Sequence, residues 1–93
     1  MRIMERQEVS KKIIEFVEDR LGSEGFEVKE ETLFREELGG DSLDMVEVIM
    51  EIEREYDIEV NDEECDSLTA ENMTVGRLID FTMEKLQAKP KNG

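Results

Sequence analysis

The chain has 93 residues, with 26 acidic against 12 basic side chains and a net charge of −14. This length fits one small domain, and the negative field repels nucleic-acid backbones and anionic membranes while it attracts basic proteins. Cys65 is the single cysteine, so an internal disulfide is excluded. The chain has no histidine, which excludes Ser-His-Asp and Cys-His catalysis as usually built. It therefore also lacks the side chain that most commonly binds metals.

The first predicted element is an amphipathic helix over residues 3–21. Apolar side chains recur along it at helical spacing, and charged side chains occupy the other side. Gly22 is expected to end the helix. The apolar stripe consists of Val9, Ile13, Phe16, Val17 and Leu21.

Residues 22–40 are predicted to form a long connection. A structureless loop of this length is unusual in a small domain, so we expect its apolar side chains to hold it across the core, with a single helical turn at residues 36–38. These apolar side chains are Phe26, Val28, Leu33, Phe34 and Leu38.

A second helix is predicted over residues 42–56, directly after Gly39, Gly40 and Asp41. Asp41 is a good N-cap, and Asp44 can close a capping box, although that position usually carries Glu or Gln. Ser42 is therefore expected in the first turn, beside a flexible corner and with its hydroxyl outside. Because a helix N-terminus favours negative charge, a phosphate on Ser42 would be stabilised. The alternative is that Ser42 is only a first-turn polar residue.

The second helix presents three different faces at about 100° per residue. The core face is predicted to contain Met45, Val48, Ile49, Ile52 and Tyr56. Acidic residues lie broadly opposite: Asp44, Glu47, Glu51 and Glu55. A third, apolar strip contains Leu43, Val46 and Met50. This strip either packs under the long loop or forms an exposed apolar patch beside the acids, as a partner-docking surface requires.

A short third helix is predicted at residues 62–65, capped by Asn61, with Cys65 as a small buried apolar residue rather than a nucleophile. The acidic stretch 57–68 fails the EF-hand pattern, because it lacks the required Gly and bidentate Glu, so no metal site is expected. Thr74 is predicted to cap a fourth helix that ends near residue 87. Its inward stripe consists of Val75, Leu78, Ile79, Thr82 and Leu86.

The pattern therefore predicts an all-α fold, a small four-helix bundle of three main helices and one short helix, with a long ordered loop after the first helix. One domain should span residues 1–87, followed by a flexible tail at residues 88–93.

The stretch Leu-Gly-Gly-Asp-Ser-Leu-Asp at residues 38–44, with the helical pattern after it, resembles the acyl carrier proteins of fatty-acid synthesis. The likeness runs from about residue 9 to residue 86. In that family the serine of Asp-Ser-Leu accepts 4′-phosphopantetheine from coenzyme A through a separate transferase, and the terminal thiol of the arm carries acyl groups as thioesters. The resemblance implies this role for Ser42, with Asp41 and Leu43 beside it.

Asp-Ser-Leu occurs a second time, at residues 66–68. No glycines precede this copy and no amphipathic run follows it. We therefore expect Ser67 to be an unmodified loop residue.

The resemblance also implies a carrier rather than an enzyme. Expected partners are a phosphopantetheinyl transferase and acyl-transferring and condensing enzymes with basic docking surfaces. No nucleic acid or membrane is expected as a partner, and the chain should be monomeric. The predicted docking residues are Asp44, Val46, Glu47, Met50 and Glu51. The acyl cargo implies an apolar space between helices, lined by Val48, Ile49, Ile52, Leu78, Ile79 and Phe81.

A cytoplasmic location is expected. Met1 begins the sequence, no secretory signal opens it, and no run is long enough to span a bilayer.

Several features depart from the family pattern and leave the cargo open between fatty acyl, polyketide and specialised acids. Gly39-Gly40 stands where many fatty-acid carriers have Gly-Ala, and this pair is similar to the sequence of peptidyl carrier domains. The acidic second helix, in contrast, disfavours a peptidyl carrier. An aminoacyl or peptidyl carrier of a modular pathway remains an alternative, as does an acidic helical adaptor without a prosthetic group. A hydrolase that uses Ser42 ranks last, because no base is nearby.

Overall fold

The computed structural model describes residues 5–22, 27–70 and 72–88, and in these ranges the chain forms four helices and no strand. α1 packs against α2 and α4, and α2 packs against α3. The all-α prediction of three main helices and one short helix is confirmed. The helices are α1 (Arg6–Leu21), α2 (Ser42–Tyr56), α3 (Asp62–Leu68) and α4 (Val75–Ala88).

The start of α1 differs from the prediction. Glu5 is an extended N-cap whose backbone N–H donates to Glu8 Oε1 at 3.3 Å, so the helix begins three residues later than expected. Glu is a weak N-cap signal, which explains the error; residue 3 itself lies outside the described ranges. The predicted end is confirmed, since Gly22 has φ 81° and ψ 170°, a region essentially restricted to glycine.

α3 extends three residues beyond the predicted segment. Asn61 caps it as expected, accepting the Glu64 N–H at 2.8 Å. The helix continues to Leu68, which is 4% exposed and belongs to the core. Ser67 is therefore helical, and its assignment to a loop is wrong. Leu68 is the one buried residue of α3, and the acidic residues around it gave no apolar period from which to predict this end.

Thr74 caps α4 as predicted, since its Oγ1 accepts the Arg77 N–H at 3.1 Å. The helix ends at Ala88, one residue beyond the expected end. Ala88 is thus helical rather than part of the predicted tail, and residues 89–93 lie outside the described ranges.

One buried stripe from each long helix builds the core, as the periodicity predicts. Fully burying one aliphatic side chain is worth about 1.5–3 kcal/mol, so these stripes supply the main drive for packing. The one buried polar residue among them, Thr82, donates its hydroxyl to the Leu78 carbonyl at 2.9 Å. The stripes consist of Val9, Ile13 and Val17; Met45, Val48, Ile49, Ile52 and Tyr56; and Val75, Leu78, Ile79 and Thr82.

The described part of the long loop, residues 27–40, is held against this core. Val28 and Phe34 are 3% and 1% exposed, and Leu38 packs partly against the core. The prediction of an ordered loop held by apolar side chains is confirmed for these residues, whereas Phe26 lies outside the described ranges.

Loop carbonyls also complete the start of α4. The Val75 N–H donates to Thr32 O at 3.0 Å and the Gly76 N–H to Glu30 O at 2.7 Å. The first N–H groups of a helix have no partner within the helix, so the loop supplies acceptors that α4 cannot provide for itself. The α3–α4 connection pairs with the loop in return, because Met73 O accepts the Phe34 N–H at 2.9 Å.

Candidate attachment site and docking surface

A hydrogen-bonded turn leads the chain into α2. The Leu33 N–H donates to Glu37 Oε1 at 2.6 Å, and the Glu37 N–H donates back to Leu33 O at 3.1 Å. The helical turn expected at residues 36–38 lies within this turn, which spans residues 34–38. Hydrogen bonds continue into the corner before α2, since the Gly39 N–H donates to Arg35 O and the Gly40 N–H to Phe34 O, each at 3.0 Å.

Glycine is required at positions 39 and 40 for different structural reasons. Gly39 has φ 74°, which L-residues rarely adopt, and open space where its side chain would lie. At Gly40 the obstacle is space, because an added Cβ would lie 2.4 Å from Cε2 of the buried Phe34 ring. Backbone conformation thus accounts for Gly39, and local packing accounts for Gly40.

Asp41 and Asp44 form the predicted capping box at the start of α2. The Asp44 N–H donates to Asp41 Oδ1 at 2.9 Å, and the Asp41 N–H donates to Asp44 Oδ2 at 3.1 Å. The Asp44 backbone hydrogen bond is the main cause that lowers the pKa of Asp41. This helix end therefore favours negative charge, as its unpaired N–H groups and dipole require.

Ser42 is the first residue of α2 and is exposed to solvent. A phosphate ester on its hydroxyl would be placed at the helix end that stabilises anions. The exposed serine and the anion-stabilising helix end fit a phosphate-linked prosthetic group.

The outer side of α2 carries an apolar and acidic patch, here called the α2 surface. Leu43 is 63% exposed and Met50 is 50% exposed, whereas the neighbouring Ile49 is only 4% exposed. The reading in which the third strip packs under the loop is therefore wrong for Leu43 and Met50. The α2 surface consists of Leu43, Asp44, Val46, Glu47, Met50 and Glu51.

An arginine from α1 contacts this surface. Arg20 Nη1 lies 2.9 Å from Glu47 Oε1, and Arg20 Nε lies 3.6 Å from Asp44 Oδ1. Arg20 was not among the site residues predicted from the sequence. Its place in the last turn of α1 was a usable signal for a charged helix end, but the sequence does not specify how α1 lies against α2.

The six residues expected around an acyl chain come together. Five are at most 4% exposed, and the sixth, Phe81, packs at the margin of the same core cluster. The structure thus places the predicted cavity residues in the closed centre of the bundle. They are Val48, Ile49, Ile52, Leu78, Ile79 and Phe81.

Neither Cys65 nor the acidic side chains form a second candidate site in the described residues. Cys65 is partly rather than fully buried, and burial raises the pKa of its thiol, which disfavours the reactive thiolate. Within residues 5–22, 27–70 and 72–88, no three acidic or cysteine side chains come together as metal ligands. No helix in these same ranges is long and apolar enough to cross a membrane.

Residues 11–82 of the chain match the phosphopantetheine attachment site family. Over 81 residues the chain is 44% identical to an acyl carrier protein of Rubrobacter xylanophilus, covering 87% of this chain and 95% of that protein. The chain belongs to the acyl carrier protein family. A second relative, the acyl carrier protein of Chlorobium phaeobacteroides, is 33% identical over 82 residues, covering 88% of this chain and the whole of that protein.

The fold agrees with this membership. The crystal structure of an acyl carrier protein from Thermotoga maritima superposes with a TM-score of 0.72 at 32% identity, covering 94% of this chain and 96% of that one. The resemblance inferred from residues 38–44 is confirmed. The chain is a carrier and not an enzyme, and its prosthetic group is a covalently attached 4′-phosphopantetheine.

Proposed function

We propose that this carrier holds acyl intermediates on a 4′-phosphopantetheine arm attached to Ser42 and delivers them to partner enzymes of fatty-acid or polyketide-type biosynthesis. When attached, the group supplies a terminal thiol that binds acyl cargo as a thioester. The observation that carries the proposal is the position of Ser42, which is exposed as the first residue of α2.

Ser67 is the competing acceptor, and its surroundings disfavour it. It is exposed and follows an aspartate, as Ser42 does, but it lies in the last turn of α3. The C-terminal end of a helix carries the negative end of the dipole, so a phosphate would be destabilised there. The position in the helix, rather than the tripeptide, favours Ser42.

The carrier supplies an acceptor and no catalytic base. Asp41, next to Ser42, has a lowered pKa, and its carboxylate accepts a hydrogen bond from the Asp44 N–H. A carboxylate with a lowered pKa is a poor proton acceptor near neutral pH. The transferase must therefore activate the Ser42 hydroxyl.

The α2 surface is proposed as the docking site for a basic face of the transferase and of the acyl-transferring and condensing enzymes. Its exposed Met50 offers apolar area, and Glu47 and Glu51 lie one turn apart beside it. Complementary charge raises the association rate of such complexes, and the net charge of −14 extends the attraction beyond the contact.

The acyl chain is proposed to lie among the buried side chains shared by α2 and α4. Ile52 and Leu78 are 2% and 1% exposed, so a chain would have to displace packed side chains. Support comes from the buried Met45 and Met73 and from the small number of aromatic residues in the chain, five in all, which make the interior adaptable.

The peptidyl carrier alternative rests on the glycine pair at residues 39 and 40. Gly39 has φ 74° and Gly40 has no room for a Cβ beside the Phe34 ring, so each glycine has a local structural cause. No other described feature favours aminoacyl cargo over acyl cargo.

Intact mass spectrometry after incubation with coenzyme A and a broad-specificity phosphopantetheinyl transferase tests the proposal. The wild type should gain one phosphopantetheinyl group, Ser42→Ala should gain none while it remains helical, and Ser67→Ala should behave as the wild type. Modification that persists in Ser42→Ala would refute the attachment site. An unmodified wild type would instead favour the adaptor reading, and loading with different acyl and aminoacyl donors would then identify the cargo class.

A further inference from the structure

Arg20 occupies part of the α2 surface from within the same molecule. Its guanidinium lies 2.9 Å from Glu47 Oε1 and 3.6 Å from Asp44 Oδ1. The side chains of Arg20 and Glu47 are 34% and 43% exposed, and that of Asp44 is 26% exposed. The ion pair is therefore within reach of solvent and of a docked partner.

The acids of the α2 surface are consequently unequal. Glu47 already has a cation beside it, whereas Glu51, one helical turn further, forms no ion pair with any other residue in the described part of the chain. A partner cation can approach Glu51 without displacing an internal one. To bind Glu47, it must compete with Arg20.

Building on the docking role in the proposed function, we propose that Arg20 is a specificity-determining residue, an internal cation that a partner's basic side chain must displace from Glu47. Displacing a partly exposed ion pair of this kind should weaken the partner's equilibrium binding constant by about two- to fivefold. Partners that bind Glu47 with a planar arginine fork compete well, because the fork binds a carboxylate in two places. Partners that contact only Glu51 and Met50 are unaffected by Arg20.

The test compares the charge-neutralising variants Arg20→Gln and Lys11→Gln. Both residues lie on α1 and both changes remove one positive charge. Lys11 is exposed and nine residues earlier, about 13.5 Å along the helix axis, which exceeds the screening length of roughly 8 Å at physiological salt. Lys11→Gln therefore reports the effect of net charge alone.

The readout is kcat/KM for attachment of phosphopantetheine, followed by intact mass with the broad-specificity transferase and coenzyme A over a salt series. Arg20→Gln should raise kcat/KM by about two- to fivefold at low salt, and Lys11→Gln by no more than about 1.5-fold. Arg20→Lys, which keeps the charge without the fork, should lie between the wild type and Arg20→Gln. An equal response of Arg20→Gln and Lys11→Gln, or a slower Arg20→Gln, would overturn the proposal.

A double-mutant cycle with Glu47→Gln separates competition from simple repulsion. If Arg20 competes for Glu47, the gain from Arg20→Gln should disappear once Glu47 is neutral. A gain that persists in the Glu47→Gln background would overturn the competition. Failure of the attachment role is distinguishable, because the wild type would then gain no mass, whereas a loaded wild type with an inert Arg20→Gln overturns the role of Arg20 alone.

Discussion

The tripeptide Asp-Ser-Leu occurs at residues 41–43 and 66–68, and the two copies occupy opposite ends of their helices. In the first copy, Ser42 begins α2 and Leu43 is 63% exposed. In the second, Ser67 lies in the last turn of α3 and Leu68 is 4% exposed. The same three side chains thus produce an outward leucine at a helix start and an inward leucine at a helix end.

The difference shows that helix position sets the chemistry of the serine. At the first copy, the Asp41 carboxylate accepts a backbone N–H, as an N-cap does. At the second, the backbone carbonyl of Asp66 accepts the Thr69 N–H at 3.2 Å and the Thr69 hydroxyl at 2.8 Å. The first end therefore stabilises an anion, whereas the second presents carbonyl oxygens that repel one.

The two leucines give the largest expected contrast. Leu68→Ala removes a buried side chain and should lower the free energy of unfolding by about 2–5 kcal/mol. Leu43→Ala changes an exposed residue and should alter stability by no more than about 0.5 kcal/mol. Chemical denaturation measures both. Equal losses would mean that Leu43 also belongs to the core.

Loading should rank the same two variants the other way. Leu43→Ala removes an apolar contact beside Ser42 and should lower kcat/KM for phosphopantetheine attachment by roughly tenfold, the equivalent of one partly buried side chain. Leu68→Ala, assayed below its melting temperature, should load at nearly the wild-type rate.

Charge reversal beside each copy gives the next contrast. Glu47→Lys with Glu51→Lys should slow association with the transferase on the order of tenfold at low salt and flatten its salt dependence, because local complementary charge steers the encounter. Glu63→Lys with Asp66→Lys makes the same change in net charge beside the second copy. Stopped-flow association rates should fall much less for this control. Equal rates for both variants would place docking outside the α2 surface.

The glycine corner, which the second copy lacks, should give smaller effects. Gly40→Ala crowds the Phe34 ring and should cost about 1 kcal/mol, at the lower end of the range for overpacking. Gly39→Asn should cost less, because Asn tolerates positive φ and the space is open. Thermal melts of the two variants test this order. A Gly39→Asn variant less stable than Gly40→Ala would show that φ, rather than space, limits the corner.

The smallest effect expected is a pH dependence of stability that comes from Asp41 in the first copy. The pKa of Asp41 is lowered, chiefly by the Asp44 backbone hydrogen bond, so its ionised form contributes stability above its usual value of 3.8. That contribution should be lost as pH falls through the lower folded value. Asp41→Asn keeps a capping side chain but removes this charge, so its melting temperature should approach that of the wild type in acid. A difference in melting temperature between Asp41→Asn and the wild type that stays constant as the pH falls would contradict this prediction.

Local signals explain why α2 was predicted correctly and α3 was not. Before α2, two glycines and a capping aspartate stand next to a strong apolar period, so several independent signals agree on residues 42–56. In α3, the cap at Asn61 was visible, but the end depends on the single buried Leu68. Leu68 is buried by contacts with distant segments, so the sequence pattern of α3 alone does not predict its burial.

The candidate site divides in the same way. The sequence placed Ser42 at the start of α2 and left two readings for the apolar strip. Only the folded chain shows that Leu43 and Met50 stay exposed and that Arg20 from α1 contacts Glu47. Exposure and ion pairing between helices depend on how the helices are rotated against each other.

By itself, the sequence determined the four-helix order and the bounds of α2, because caps, glycines and apolar period act within one or two helical turns. The family followed from the resemblance carried by residues 38–44. Tertiary structure decided the rest. It placed Arg20 beside Glu47 and supplied loop carbonyls to the first N–H groups of α4. Each of these contacts joins segments whose relative position is fixed only when the helices pack around one core.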